Sequence, residues 1–244
     1  MPEILANFVA LPARHLWIAL AVTIGFTAVA RRLHGVSRSG AAVGAVVCFV
    51  LFASAGTGAL ITLISVFVLT WLTTRWGYAQ KQKLGTAERR DGRKASQVLA
   101  NLGVATVCAA AFMFNRGPEF LLAMAAALAE AAADTVSSEA GQARSSQARL
   151  VTTWERVAAG TNGGVSLVGT SAGIAAALLV SLIAAVSHLI GWKGLAVSVP
   201  AATVGMLTDS FLGALLEGRG FLNNDAVNFL GTLSAAGFTF LLSF

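Results

Sequence analysis

The chain has 244 residues, of which 56% are hydrophobic and only 11% charged, with a net charge of +6 and a mean hydropathy of +0.75. Soluble domains carry about 25% charged residues, and a core of this size could not hide so much apolar surface. The composition therefore excludes a soluble globular enzyme, a disordered chain and a secreted disulfide scaffold. The apolar stretches are long and rich in Ala, Leu and Val, without the two-residue alternation of a β-barrel, so the fold class is all-α and polytopic in a membrane.

A spanning helix needs about 20 mostly apolar residues. That predicts about eight helices, over 14–31, 40–56, 58–75, 95–114, 118–138, 164–190, 195–216 and 225–243. Helix one has no small-residue cleavage site ahead of Arg31-Arg32, so it reads as a span rather than a signal peptide. Only Ser54–Gly58 divides helices two and three. Cys48 and Cys108 lie inside apolar runs and read as small packing residues. The connections after helices one, three, five and seven hold 14 of the 17 Lys and Arg, leaving Arg14, Arg116 and Lys193 on the other side. By the positive-inside rule the basic side is cytoplasmic and both termini lie outside, as in a bacterial inner membrane protein. The basic excess has two readings, topology with attraction to anionic lipid, or substrate binding.

Gly35-Val36-Ser37 is followed by Gly40 and Gly44, and Gly164-Val165-Ser166, 129 residues later, by Gly169 and Gly173. Each copy opens a helix from the same side, and Leu102-Gly103 is echoed by Leu230-Gly231. A single transmembrane domain over 1–244 is thus expected to contain two parallel pseudo-repeats, about 14–114 and 118–244. The glycines after each serine also suit small-x-x-x-small helix packing.

Ionisable groups at the middle of a membrane helix cost about 2.5–3.5 kcal/mol on insertion scales. Glu130, Asp134 and Ser138 nevertheless form an i, i+4, i+8 stripe in helix five, with Glu139 at its mouth, and Asp209 lies in helix seven. Helix four opens with Gln97 and Asn101, helix eight with Asn223-Asn224-Asp225 and Asn228, and Gly160-Thr161-Asn162-Gly163-Gly164 leads into helix six. All of these fall at the cytoplasmic ends of their helices. Singly each has a structural reading, such as an N-cap for Asn224 or Asp225. Together they describe one site. Carboxylates in a partly dry site repel unless a cation separates them, and Asp and Asn oxygens suit Mg²⁺. Helix N-termini, glycine-rich turns and the surrounding Arg38, Arg89, Arg90, Arg93, Lys94, Arg149 and Arg156 suit an anion. The combination fits a polyphosphate and phosphoryl transfer, which is mainly positioning and charge neutralisation. There is no P-loop or protein-kinase signature, and His15, His34 and His188 are too scattered for a triad or a zinc site.

The segments Gln97–Asn101, Ala133-Asp134-Thr135 with Ser138-Glu139, Gly160–Leu167, Asp209–Ala214 and Asn223–Asn228 resemble the integral-membrane family that contains plant and cyanobacterial phytyl-phosphate kinase and animal transmembrane protein 19. The resemblance runs from about Gly35 to the C-terminus. Members usually have Gly-Asp-Thr where this chain has Ala133-Asp134-Thr135, which leaves the carboxylate in place. The family implies phosphoryl transfer to an isoprenyl monophosphate, and its likeness to CTP-dependent polyprenol kinases implies CTP as donor. On this reading Asp134, Asp209 and Asp225 are catalytic, and with Glu139 they hold Mg²⁺. Gln97, Asn101, Thr161, Asn162, Gly163, Gly164, Ser166, Asn224, Asn228, Arg93 and Lys94 bind nucleotide or phosphate. Gly35, Ser37 and Arg38 take the lipid phosphate. The expected partners are an isoprenyl phosphate lipid, a nucleoside triphosphate and the bilayer, with no nucleic acid. The alternatives are a secondary transporter with intramembrane carboxylates and a CTP-dependent CDP-lipid-forming transferase.

Overall fold

A computed structural model of the chain describes residues 13–144 and 147–242. Its helices are α1 (Ala13–Arg32), α2 (Arg38–Arg75), the short α3 (Tyr78–Leu84), α4 (Ala95–Asn115), α5 (Pro118–Arg144), α6 (Leu167–Val186), α7 (Trp192–Leu212) and α8 (Asn224–Leu242), with a π-helical turn, Gly213–Glu217, prolonging α7. Among the described residues, six helices are long and apolar enough to cross a membrane. The polytopic helical architecture is thus as expected. The predicted end of helix eight at residue 243 lies outside the described residues. An addition is a small antiparallel sheet between α5 and α6, in which β1 (Gln147–Leu150) is flanked by β2 (Arg156–Ala158) and β3 (Gly164–Val165).

α2 consists of two helical arms that meet at a kink. Its 38 residues would reach about 57 Å, nearly twice the ~30 Å hydrocarbon core. Gly56, at φ 69° and ψ −153°, breaks the helix in a conformation that a side chain would oppose. The second arm, 57–75, then returns beside the start of the first. Arg75 Nη2 and Trp71 Nε1 donate to Leu33 O at 2.5 and 3.1 Å, and Gly35 lies against the Phe67 ring. The expected boundary between helices two and three is therefore a reversal at a single residue. With the arms counted separately, the described residues form eight helical segments besides the short α3.

The basic connections meet at one end. Ser37 N donates to Arg93 O and Arg93 N to Gly35 O, which pins the loop before α4 to the start of α2. Gly160 abuts Thr86, and Gly163 abuts Ala214. At the other end the connections are short, and Gly58 rests on Ser187 and Leu189. The first of these is the polar end of the bundle.

Buried α5 forms the centre, touching α2, α4, α6, α7 and α8. Its alanine run lets neighbours approach closely. A Cβ on Gly169 or Gly173 would fall 2.6 Å from Ser137 O or 2.8 Å from Ala133 O, so these two glycines serve helix packing as expected. Gly40 instead backs onto the Arg93 carbonyl, so the first copy of the motif seats a loop. The serines correspond closely. Ser37 Oγ accepts from Gly40 N at 3.2 Å and Ser166 Oγ from Gly169 N at 3.0 Å, N-caps of about 1 kcal/mol each. The preceding Gly-Val pairs also match in use: Val36 bridges to Arg93, and Gly164-Val165 forms β3. That pairing is why α6 starts at Leu167 rather than at 164.

Candidate functional site

The four-residue spacing on α5 puts Asp134 toward the polar end and Glu130 one turn deeper. Glu130 is 1% exposed and its Oε1 has no hydrogen-bond partner. It fits between α7 and α8 because Gly205 and Gly231 face it, and a Cβ on either would fall 2.6 Å from its side chain. Asp209, from α7, meets Asp134 with the two carboxyl groups within hydrogen-bonding reach. Around this pair opens a polar chamber of about 330 Å³. Arg93, Gln97 and Asn101 wall one side, Asn224 and Asn228 another, and the Gly160–Gly164 loop with Ser166 closes a third.

A chain of hydrogen bonds fixes the walls. The Asn228 amide, oriented to suit its neighbours, donates to Asp209 Oδ2 and Asn224 O at 3.2 Å and accepts from Asn101 Nδ2 at 3.3 Å. Asn101 Nδ2 also donates to Gln97 O at 2.8 Å. The Gln97 side chain accepts from Lys94 N at 2.8 Å and donates to Glu88 Oε2 at 3.0 Å. Arg93 Nη2 donates to Thr135 Oγ1 at 3.2 Å, beside Asp134. Asn101, near the start of α4, and Asn228, near the start of α8, thus meet directly. On the loop side Gly163 has φ 74°, and a Cβ there would collide with the Ala214 backbone at 2.6 Å. The loop is thereby held against the π turn, which carries Glu217 into the chamber wall.

Several predicted residues do not join this site. Asp225 lies in the first turn of α8, outside the chamber wall, and the cap there is Asn223, whose Oδ1 accepts from Ala226 N at 2.9 Å. Lys94 is exposed and lines no part of the chamber. Glu139 does line it, but its Oε2 is bound by Lys81 at 2.5 Å, and Lys81, fully buried, also donates to Thr73 O and Thr74 O. Among the described residues no three His, Cys, Asp or Glu gather to hold a metal. The expected four-carboxylate set of Asp134, Glu139, Asp209 and Asp225 is therefore not assembled. What remains is the Asp134–Asp209 pair, and Mg²⁺ typically takes one or two carboxylates with substrate phosphates and water. The pair fits that donor set. Sequence reasoning missed Glu217, Thr135, Ser137 and Glu88. For Glu217 the signal was the i, i+8 spacing from Asp209.

The expected lipid-phosphate group also divides. Ser37 is a buried cap and Arg38 is exposed, away from the cavities described here. Gly35 lines a second cavity, of about 590 Å³, between α1, the two arms of α2 and α4. Phe26, Val47, Leu63 and Val66 make its interior apolar, whereas Arg75, Arg89, Arg90 and Arg93 stand at the polar end. Glu88, Arg93 and Asn101 belong to the walls of both cavities.

The family described as integral membrane protein DUF92 matches residues 21–236. An uncharacterized membrane protein of Methanocaldococcus jannaschii is 35% identical over 190 residues, 76% of this chain and 76% of its own length. An uncharacterized membrane protein of Synechocystis sp. is 32% identical over 197 residues, 77% of this chain and 76% of its own. The protein named VTE6, chloroplastic, of Arabidopsis thaliana is 31% identical over 203 residues, 80% of this chain and 61% of its own. No solved structure matches.

Proposed function

The chain belongs to this integral-membrane family, and on that premise we propose that it is a membrane-embedded lipid kinase, transferring the terminal phosphoryl group of a nucleoside triphosphate to an isoprenyl monophosphate. The observation that carries the reading is the joint wall: a polar chamber with paired carboxylates and a glycine-rich loop adjoins an apolar cavity through Arg93, Glu88 and Asn101. An oxygen of the acceptor phosphate bonds to the γ-phosphorus. The bond from that phosphorus to its bridging oxygen breaks, and the nucleoside diphosphate leaves with the electron pair. The acceptor oxygen is already anionic, so no general base is needed. Arg93 and the loop N–H groups orient the phosphates, and the asparagines fix the geometry around Asp209. Mg²⁺, held by Asp134 and Asp209, would neutralise charge on the polyphosphate. CTP is the proposed donor, as the resemblance implies. A transporter needs access from both ends, whereas the polar walls collect at one.

The test is product analysis of the purified protein in detergent with CTP, Mg²⁺ and a C20 isoprenyl monophosphate. The expected products are the isoprenyl diphosphate and CDP, and chelation of Mg²⁺ abolishes them. A CDP-lipid with pyrophosphate, or no product, would replace this reading.

The site is proposed to face the cytoplasm from the bacterial inner membrane, as the basic connections predict. Cys48 and Cys108 are buried, so they form a quiet background once replaced by Ala. In that background Lys83→Cys and Arg219→Cys should react with an impermeant maleimide only from the cytoplasm, and Lys193→Cys only from outside. The reverse pattern would invert the orientation.

A further inference from the structure

The second cavity has the shape of a tail site. From Arg75 its wall on the second arm of α2 runs twelve residues to Leu63, about 18 Å, and on the first arm six residues from Ala41 to Val47, about 9 Å. That reaches more than halfway through a ~30 Å hydrocarbon core. Apolar residues line the depth and cations collect at the mouth. Arg89 and Arg90 are exposed there, Arg93 lies between the two cavities, and the nearby carboxylate of Glu88 is already engaged by Gln97 Nε2 and Arg89 N. A phosphomonoester on an apolar chain matches this polarity end to end.

One wall position governs the usable depth. Gly44 lies six residues along α2, about 9 Å from its start, and lines the cavity, and a Cβ built on it meets nothing within 4 Å. The space that a side chain would fill is cavity. On the kinase reading above, we propose that this cavity holds the isoprenoid chain of the acceptor with its phosphate at Arg89 and Arg90, and that Gly44 sets the chain length accepted. A chain short enough to end above Gly44 does not depend on it, whereas a longer one must pass it.

The experiment is a Gly44→Leu variant, with Gly25→Leu on the exposed face of α1, where a Cβ also meets nothing, as control. Binding of radiolabelled C20 and C5 isoprenyl monophosphates is measured in detergent without nucleotide, and KM values for the same lipids and for nucleotide are measured in parallel. Gly44→Leu is expected to weaken C20 binding at least about tenfold, to shift C5 binding less than about twofold, and to leave the nucleotide KM within about twofold. Arg90→Ala is expected to weaken both lipids alike. Gly25→Leu should match the wild type. Wild-type protein that binds no C20 phosphate, or a Gly44→Leu variant that binds both lipids as the wild type does, overturns the assignment. Saturable lipid binding without diphosphate product would instead refute the kinase reading and leave the cavity's ligand standing.

Discussion

Asp134→Asn and Asp209→Asn are each expected to lower kcat by about a thousandfold or more, the scale seen when a positioned electrostatic group is lost from a phosphoryl- or acyl-transfer site. The substitution keeps the shape of the side chain, and in Asp209→Asn the new amide oxygen can still accept from Asn228. Charge is what disappears. The two carboxyls stand within hydrogen-bonding reach of each other, so removing either would leave a single carboxylate for the proposed Mg²⁺. Asp225→Asn, outside the chamber wall, is expected to change kcat less than about threefold. Steady-state turnover, with thermal stability in detergent as the check on folding, reads all three. Normal turnover in the two inner variants, at normal stability, would remove the pair from the reaction.

Arg93→Ala is expected to cost about a thousandfold in kcat/KM, with KM raised for both lipid and nucleotide. Arg93 belongs to the walls of both cavities, donates to Thr135, and has its backbone fixed by the bridge to Val36. On the proposed kinase reading it stands where the transferred group would cross. Arg93→Lys should recover little, because an ammonium offers a point charge instead of a planar fork. Arg38→Ala, by contrast, should leave both KM values unchanged, since Arg38 is exposed and lines neither cavity. An Arg93→Ala effect on one substrate alone would place Arg93 within one site and not between two.

What the sequence made legible was whatever repeats along a helix. The Glu130–Asp134–Ser138 stripe, the Gln97–Asn101 pair and the duplicated Gly-Val-Ser starts all follow from spacing, and the structure uses each of them. Ser54–Gly58 was readable as a boundary, although it holds no charged residue and only Ser54 and Thr57 are polar in it, because glycine can supply the positive φ that Gly56 adopts. The rest depended on contacts between segments distant in sequence. Which arginines reach the apolar cavity is decided by the Val36–Arg93 bridge, which turns the loop before α4 inward and leaves Arg38 outside. Glu139 looks like a free carboxylate until Lys81 is brought to it by α3. Asp225 looked equivalent to Asp209, but the α8 cap falls on Asn223 and turns Asp225 away from the wall. Glu217 comes in only because a π turn prolongs α7. The strands, of four, three and two residues, are too short to carry an alternating pattern.

Glu130 has a consequence for how the chain is made. Its side chain is enclosed by Gly205 of α7 and Gly231 of α8, both of which follow α5 in the chain. When α5 first becomes available for insertion, neither enclosing wall has yet been synthesised. An acidic group on its way into lipid alone costs about 2.5–3.5 kcal/mol, so α5 is a reluctant passenger until its successors arrive. Glu130 therefore gains its enclosure only when α7 and α8 pack against α5. The helix that carries Asp134 thus depends on two later helices for the surroundings of its buried acid.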